Sequence, residues 1–446
     1  MKTAIVTPLY KGKSKSDVVN YRPVSLLPTI SKILEKIVHV RVTKFLVKHK
    51  VFYEGQYGFR KNRSTADAIL DLTGNIVENI NRGYYTMCLF LDMSKAFDSL
   101  SHDTVFKKLE FYGIRGGPLS WFRSYLLDRQ MRVKFKGHIS DAYKVGYGAL
   151  QGSVLGPLIY IILANDLIRC LKVCRAITYA DDTTVYPSGN NWKFLYKKVN
   201  NDIENLNKWF RSNSLTLKTK YMIFRPKRKE LNFNGVLKLG INIIDRVKQI
   251  KFLGVHVDEF LEWDFQVKQV LMKMTAGIYS LNMTKNFLPK NLQKLVYFAN
   301  VQSHMCYAIS AWGSMVKSKD LKKIQVQQNK AIRIMCNVGR RARLSELYKQ
   351  LKIVKIEDLV KLELLKISHR YIYGNLPVRL GNLLKISHRY IYGNLPVRLG
   401  NLFNLSHHTY YTRTRNYLRA PQHTVEKYNA SFLGRSPHLW LHLDEQ

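Results

Sequence analysis

Three aspartates stand where strands are predicted to end, an arrangement that favours a metal site. Asp181 and Asp182 lie between two short β-type runs, so we expect them at the tip of a hairpin. Asp92 ends a third apolar run. Carboxylate oxygens are the ligands that Mg²⁺ prefers, and two ions about 3.5–4 Å apart serve phosphoryl transfer. An Asp-Asp pair is also ordinary turn chemistry, so this interpretation depends on the rest of the chain.

The net charge of the chain indicates a polyanionic partner. Its 446 residues include 72 Lys and Arg against 31 Asp and Glu, a formal net charge of +41. The basic residues are spread along the chain rather than gathered in a tail, which is typical of a protein that holds nucleic acid over a long surface. A hydrophobic fraction of 46% indicates a globular core, and the length suits two or three subdomains.

The cysteines and the apolar runs favour an intracellular protein, in the nucleus, the cytoplasm or both. The five cysteines are odd in number and lack zinc-ligand spacing, so a reducing compartment is expected. The first ten residues lack the apolar core of a secretory signal. The most apolar run, 154–163, is too short to span a membrane, so we expect it in the core and predict no membrane partner.

The elements that must position the aspartates can be predicted from periodicity and breakers. Residues before 85 are predicted as a loop followed by helices. After the strand that leads to Asp92, a helix is predicted from Asp103, with four apolar residues facing the core: Val105, Phe106, Leu109 and Phe111. The other predicted elements are paired strands at 131–136 and 143–147, helices at 154–167 and 199–213, strands at 221–224 and 249–257, and helices beyond 265.

Six sequence blocks, in order, resemble the reverse transcriptases of non-LTR retrotransposons, of the LINE type exemplified by jockey and CR1. The blocks are NYRPVSLL (20–27), GFRKNRST (58–65), FLDMSKAFD (90–98), QGSVLGP (151–157), YADD (179–182) and KFLGV (251–255). Their order and spacing agree with the family from about residue 2 to 335.

The resemblance implies an α+β fold of the right-hand polymerase type with a helical C-terminal segment. We expect interleaved fingers and palm over 1–260, a thumb-like helical region over 261–335, and a basic helical segment over 336–446. The implied activity is RNA-directed DNA synthesis that extends a primer 3′-hydroxyl. The implied partners are an RNA template, a DNA primer and dNTPs, and the implied cofactor is two Mg²⁺ ions, with Mn²⁺ as a possible substitute.

The resemblance also assigns roles to the aspartates and to the nucleotide site. Asp92, Asp181 and Asp182 match the catalytic metal ligands, with Asp182 the less essential. Phe97 matches the steric gate that excludes a ribose 2′-hydroxyl, and Gln151 matches a residue that contacts nucleotide and template. Gly152 beside it would let the backbone approach closely, and Asp98 is expected to cap the following helix.

Further roles concern the triphosphate and the primer. The resemblance places Arg60 and Arg63 at the triphosphate, where guanidinium groups suit phosphate oxygens, and leaves open which of them binds. Lys218 matches the lysine proposed to protonate the leaving pyrophosphate. The last set matches the primer grip and consists of Phe252, Leu253 and Gly254.

Departures from the family pattern keep alternatives open. The loop around Lys218 is shorter than usual, and Met1 falls where the fingers are already under way, so we expect the preceding endonuclease and N-terminal extension to be absent. Residues 364–382 recur unchanged at 383–401, which indicates a recent duplication or a gene-prediction error, and we assign the repeat no function. A decayed product that binds RNA without polymerising is one alternative. An RNA-dependent RNA polymerase is another, disfavoured by the bulk of Phe97.

Overall fold

The computed structural model describes residues 2–12, 14–94, 97–213, 215–231 and 235–381. The second copy of the repeat and most of the predicted C-terminal segment lie outside the described residues.

Helices occupy most of the second half of the described chain, as the sequence predicts. The described residues form thirteen α-helices: α1 Thr29–Lys48, α2 Thr65–Asn81, α3 His102–Phe111, α4 Gly116–Leu126, α5 Gly156–Ala164, α6 Trp192–Ser212, α7 Asp264–Thr284, α8 Lys290–Tyr297, α9 Ser303–Cys306, α10 Ile309–Trp312, α11 Ser318–Cys336, α12 Ser345–Leu351 and α13 Ile356–Ile372. A π-helical turn, Phe298–Gln302, joins α8 to α9. Over the same residues, none of these helices is both long enough and apolar enough to cross a bilayer.

The strands form two larger sheets and two isolated hairpins. The strands of the described residues are β1 Thr3–Tyr10, β2 Tyr21–Leu26, β3 Tyr85–Ser94, β4 Arg129–Phe135, β5 His138–Ile139, β6 Tyr143–Val145, β7 Arg175–Tyr179, β8 Asp182–Tyr186, β9 Ser188–Gly189, β10 Thr216–Phe224, β11 Lys238–Leu239, β12 Asn242–Ile243, β13 Asp245–Arg246, β14 Gln249–Phe252 and β15 Val255–Asp258. The first sheet has the order β2-β1-β4-β5, with β6 also on β4. The second, which carries the aspartates, has the order β13-β10-β3-β8-β7, with β9 also on β3.

Strand β3 lies at the centre of the second sheet, and both of its faces are covered. Leu89 and Leu91 pack into one core with α3, α5 and α6. Cys88 and Phe90 point to the other face, into a core shared with α2 and the helices beyond 264. A strand buried on both faces appears in the sequence as an unbroken apolar run, which is the pattern that precedes Asp92.

The first sheet corrects the prediction of a loop at the start of the chain. In β1, Ala4 and Val6 are buried and alternate with exposed residues, which is the pattern of a half-covered strand. Strand β2 pairs antiparallel with β1 and places Pro23 opposite Pro8. Because β2 lies at the edge of the sheet, a proline that cannot donate a hydrogen bond is tolerated there.

Several smaller predictions also need correction. Phe111, expected in the core, is 60% exposed at the end of α3, whereas Val105, Phe106 and Leu109 are buried as predicted. Residues 249–257 form the hairpin β14–β15 rather than one strand. Helix α3 is capped by the side chain of Ser101, which accepts from the N–H of Thr104, and not by Asp98.

Candidate active site

The hairpin β7–β8 carries the Asp-Asp pair at its tip, as predicted. Tyr179 and Asp182 are the last cross-strand pair, which leaves Ala180 and Asp181 in the turn. Ala180 has a φ of +56°, in the left-handed region that costs an L-residue roughly 1–2 kcal/mol. The turn therefore needs contacts from elsewhere to hold its shape.

The loop before α2 supplies those contacts. Its residues run alongside β7, where Tyr57 donates to the carbonyl of Thr178 at 2.8 Å and Thr178 donates to the carbonyl of Gly55 at 2.9 Å. The buried side chain of Gln56 accepts from the N–H of Gly58 at 2.7 Å and from the N–H of Ala180 at 3.3 Å. Gln56 thus fixes the residue that precedes Asp181.

Gly58 lies against the same turn. A Cβ added at this glycine would come within 2.4 Å of the backbone nitrogen of Ala180, closer than such atoms approach. Neither Gly58 nor Gln56 has a predicted role. The sequence signal that could have indicated this contact is Gly58 itself, within the GFRKNRST block, since glycine allows a close approach of two backbones.

Asp92 lies beside the hairpin tip. On one side of β3 it is the cross-strand partner of Lys218 on β10. On the other side the ladder to β8 ends with Leu91 opposite Thr183, so the same register places Asp92 opposite Asp182 at the next step. Asp92 and Asp182, far apart in sequence, are therefore neighbours where strands β3 and β8 meet at their ends.

The three carboxylates form one electrostatic cluster. Burial and then the charges of Asp181 and Asp92 raise the pKa of Asp182 to about 6. Burial, together with the charge of Asp92, also raises the pKa of Asp181, while the Arg22 guanidinium acts in the opposite direction. Like charges held together in a partly desolvated place disfavour ionisation, so the cluster contains negative charge that lacks full compensation.

The donor set suits a hard cation. All three side chains offer oxygen ligands, and a cation placed among them would offset the repulsion that helps to raise the pKa values of Asp181 and Asp182. Within the part of the chain that the structure describes, no group of three or more His, Cys, Asp or Glu is arranged to hold one ion by itself.

A cavity of about 820 Å³ opens on the Asp181 side of the cluster. Phe97 and Gln151 line it together with Asp181, so the structure brings two of the predicted nucleotide residues to one place. The Phe97 ring packs on Tyr160 with the centroids 5.0 Å apart. The side-chain nitrogen of Gln151 donates to Asp98 at 2.8 Å, and this contact, rather than a helix cap, is the interaction of Asp98.

Gly152 explains how the chain passes beside this cavity. Its φ is +112°, and an added Cβ would lie 2.6 Å from the carbonyl oxygen of Ser25. Ser25 in turn donates its backbone N–H to the carbonyl of Gln151 at 2.7 Å. The close approach expected at Gly152 is therefore to β2, which fixes Gln151 against the first sheet.

A second cavity, of about 670 Å³, opens on the other side of the cluster. Asp92 and Asp182 line it with Phe252 and Leu253, two of the predicted primer residues. Leu253 and Gly254 form the turn of β14–β15 with φ values of +44° and +87°. The carbonyl of Leu253 accepts from the hydroxyl of Tyr307 at 2.7 Å, a support that the sequence did not indicate.

Lys218 lies on this second side. It lines the same cavity as Asp92 and Phe252, not the cavity of Phe97 and Gln151. The β3–β10 register fixes Lys218 directly opposite Asp92. Its role at a leaving pyrophosphate stays a prediction.

Arg60 and Arg63, predicted at the triphosphate, make contacts within the loop before α2. Arg60 donates to the carbonyl of Tyr53 at 2.8 Å, and burial followed by the charge of Arg63 lowers its pKa to about 10. The side chain of Arg63 is 8% exposed, pairs with Glu54 at 2.6 Å and donates to the carbonyls of Glu54 and Gln56. Neither arginine lines the cavity of Asp181; both fold onto the loop that supports the hairpin.

The basic residues at the Asp181 cavity come instead from the first sheet and its loop. Arg22 and Lys11 line this cavity, and both side chains belong to exposed residues. The sequence contained a signal for Arg22, because it lies within the NYRPVSLL block, but the block gave no role to an individual residue.

Comparison with known proteins identifies the family. Residues 13–257 match the family described as reverse transcriptase (RNA-dependent DNA polymerase). The chain belongs to the reverse transcriptase family. Two Drosophila melanogaster relatives support the LINE-type resemblance. The chain is 26% identical over 398 residues to the probable RNA-directed DNA polymerase from transposon BS, covering 83% of this chain and 42% of the relative. It is 24% identical over 385 residues to the RNA-directed DNA polymerase from mobile element jockey, covering 83% and 41%.

The chain spans about two fifths of the length of the curated relatives that it matches. Among solved structures, apo telomerase from Candida tropicalis is similar at 13% identity and a TM-score of 0.43, over 82% of this chain and 66% of that chain. The reverse transcriptase match and the mixed helix-and-sheet architecture agree with the predicted right-hand polymerase class. Reverse transcriptases use divalent metal ions and act on nucleic acid.

Proposed function

We propose that this chain is an RNA-directed DNA polymerase that extends a primer 3′-hydroxyl with dNTPs. The observation that carries the proposal is the position of the carboxylate cluster between two cavities. Asp181 lines the cavity that holds Phe97 and Gln151, whereas Asp92 and Asp182 line the other. A nucleotide in the first cavity and a primer end in the second would meet at the carboxylates.

Asp92, Asp181 and Asp182 would hold the divalent ions. Bound Mg²⁺ supplies activation of the 3′-hydroxyl and stabilisation of the leaving pyrophosphate. Mg²⁺ in such enzymes is held by one or two carboxylates, with waters and substrate phosphates completing the shell. Within the described residues the three carboxylates alone do not form a group arranged to hold an ion, so waters and substrate phosphates would have to complete the coordination. Mn²⁺ offers a similar preference for oxygen ligands.

Phe97 and Gln151 would orient the incoming nucleotide. The Phe97 ring is supported from behind by Tyr160, so a sugar in the cavity would meet a fixed aromatic edge. Its bulk leaves little room for a 2′-hydroxyl, which favours deoxynucleotides. The Gln151 amide is held by Asp98, which limits its rotation and pre-orients it toward a base or sugar.

Arg22 and Lys11 would contact the triphosphate. Both line the nucleotide cavity, and the charge of Arg22 already acts on Asp181. A guanidinium group fits phosphate oxygens bidentately, and a lysine adds a point charge. This replaces the expectation that Arg60 or Arg63 binds there.

On this proposal, residues 1–260 are interleaved fingers and palm, 261–335 a thumb-like helical region and 336–446 a basic helical C-terminal segment. An RNA template, a DNA primer and dNTPs would be the partners, in keeping with a net charge of +41. A nuclear or cytoplasmic location follows from the same partners.

Primer extension on an RNA template, with dNTPs and NTPs in parallel, tests the proposal. We expect Mg²⁺-dependent extension with dNTPs, little with NTPs, and none by Asp181→Asn. Preferred NTP incorporation would identify an RNA-dependent RNA polymerase. RNA binding without extension by the parent chain would identify a decayed, RNA-binding product, and equal extension by the parent and Asp181→Asn would remove the catalytic assignment.

A further inference from the structure

Arg379 is a partly buried arginine far from the active site in sequence. It follows α13 and lies in the first copy of the exact repeat. Its side chain is 17% exposed and forms an ion pair with Asp71 of α2 at 3.0 Å; the Asp71 side chain is 1% exposed. A buried ion pair of this kind fixes the position of both elements, because either charge left alone would be strongly disfavoured.

The same guanidinium also contacts both strands of the catalytic hairpin. One terminal nitrogen donates to the hydroxyl of Tyr186 on β8 at 2.9 Å. The other donates to the carbonyl of Ala176 on β7 and to the hydroxyl of Tyr53 at 3.0 Å. Tyr53 itself donates to the carbonyl of Ala176 at 2.8 Å. Arg379 therefore joins β7, β8, α2 and the loop before α2 at the base of the hairpin.

The segment that carries Arg379 is anchored independently. Arg370, on α13, pairs with Asp67 of α2 at 2.8 and 3.1 Å and donates to the carbonyl of Asn62 at 3.2 Å. Leu380 is 2% exposed and belongs to the core on the α2 face of the sheet. These contacts hold the backbone around residue 379 in place, so the guanidinium approaches the hairpin from a fixed support.

We propose that Arg379 is a positioning residue for polymerisation, which holds the base of the β7–β8 hairpin so that Asp181 and Asp182 stand in register with Asp92. This inference rests on the proposed function. Gln56 supports the hairpin at its tip and Arg379 supports it at its base, five residues from Asp181 at Ala176. Two fixed points on a short hairpin leave its tip little freedom to move relative to β3.

The chemistry requires arginine. Only a planar guanidinium presents enough donors in fixed directions to serve a carboxylate, a carbonyl and two hydroxyls at once. An ammonium at this place would keep the charge opposite Asp71 but would lose contacts to the hairpin. Arg379→Lys should therefore preserve folding better than Arg379→Leu while still loosening the hairpin.

The exact repeat provides a matched control. Arg398 occupies the same position in the second copy, with identical residues on both sides through the repeat. Arg398→Leu makes the same chemical change in the same local sequence. The contacts to Asp71, Ala176 and Tyr186 are those of Arg379, so the proposal predicts a loss on substitution at 379 and none on substitution at 398.

The first measurement is steady-state primer extension by the full chain. For Arg379→Leu we expect kcat to fall about tenfold, the lower end of the effect of groups bonded directly to metal ligands, because Arg379 acts on the aspartates through the hairpin. The KM for dNTP should change less than about twofold, because Phe97, Gln151 and Arg22 are not touched. Arg398→Leu should match the parent. Three results would overturn the assignment: an unchanged kcat in Arg379→Leu, an equal fall in kcat in both variants, or a fall that appears only when both arginines are substituted.

The second measurement does not need activity. Hydrogen exchange of the metal-free chain should be faster across residues 175–186 in Arg379→Leu and Arg379→Lys, with α6 unchanged. Tyr186→Phe removes only the hydroxyl contact and should give a smaller change in the same direction. Parental exchange at the hairpin, or a uniform rise that includes α6, would contradict a positioning role. An inactive parent chain would count against the proposed function, whereas the exchange result would still decide whether Arg379 holds the β7–β8 hairpin.

Discussion

The side-chain oxygen of Gln56 accepts a hydrogen bond from the backbone N–H of Ala180, the residue directly before Asp181. Gln56 is buried, and the same oxygen accepts from Gly58. The geometry of the catalytic turn is thus set by a residue 124 positions earlier in the chain.

Gln56→Leu should impair catalysis through the turn. The substitution leaves the N–H groups of Gly58 and Ala180 without their acceptor, at a cost of about 1–3 kcal/mol for a buried unsatisfied donor. We expect kcat for primer extension to fall about tenfold or more, with template binding retained. Gln350→Leu, an exposed glutamine on α12, is the control. Unaltered kcat in Gln56→Leu would mean that the turn holds its shape without this contact.

Gly58→Ala should have a similar effect for a steric reason. The new Cβ would lie 2.4 Å from the nitrogen of Ala180, so the hairpin tip or the loop must shift. We expect a large loss of primer extension and a lower Tm. Gly117→Ala is the matched control, because its Cβ would meet nothing within 4 Å, and it should keep parental activity. Full activity in Gly58→Ala would show that the close approach is not needed.

The sequence was sufficient to find the cluster but not its supports. The apolar run before Asp92 and the β-type runs around Asp181 predicted the strand and hairpin that the structure contains. Side-chain direction is not fixed by a motif, however. Arg60 and Arg63 lie within a matching block yet donate inward to loop carbonyls.

Other features depend on long-range pairing that no local pattern records. Strand β2 contains Pro23, which local rules interpret as a breaker, and it is permitted only because β2 is an edge strand. Arg379 meets Ala176 across 203 positions, and nothing in the composition around either residue predicts that contact.

Arg22→Ala should weaken nucleotide binding. Loss of a guanidinium from the Asp181 cavity should raise the KM for dNTP roughly tenfold, the worth of one hydrogen bond to a charged group. Arg63→Ala should instead lower the Tm, because it removes an ion pair and carbonyl contacts within the loop. Titrations of dNTP in primer extension, paired with thermal melts, separate the two. If Arg63→Ala raised the KM for dNTP at unchanged Tm and Arg22→Ala left the KM unchanged, the sequence-based expectation that Arg63 binds the triphosphate would be restored.

Phe97→Val should relax sugar selection. Removing the ring opens the cavity beside Asp181 where a 2′-hydroxyl would lie. We expect the ratio of dNTP to NTP incorporation efficiency to fall about tenfold or more, the scale for a single steric group in a packed pocket. Phe111→Val, at an exposed ring on α3, is the control. A selectivity equal to that of the parent would remove Phe97 from the gate role.

The metal-free chain should lose stability as pH rises through the titration of Asp182. Its pKa is raised from 3.8 to about 6 on folding, so the folded protein binds more protons than the unfolded chain between those values. Stability from this group is therefore present at low pH and lost as pH rises toward 6. The Tm of Asp182→Asn should fall less over this window, and added Mg²⁺ should raise the Tm of the parent above it. Identical Tm profiles for the two proteins would contradict the shift.

The claim that Asp92 joins the hairpin aspartates in one metal site is tested most directly by Asp92→Asn in primer extension across a Mg²⁺ series. We expect no extension at any Mg²⁺ concentration, while Asp141→Asn, at an exposed position, extends like the parent. Extension by Asp92→Asn at the parental rate and with the parental Mg²⁺ requirement would contradict the account.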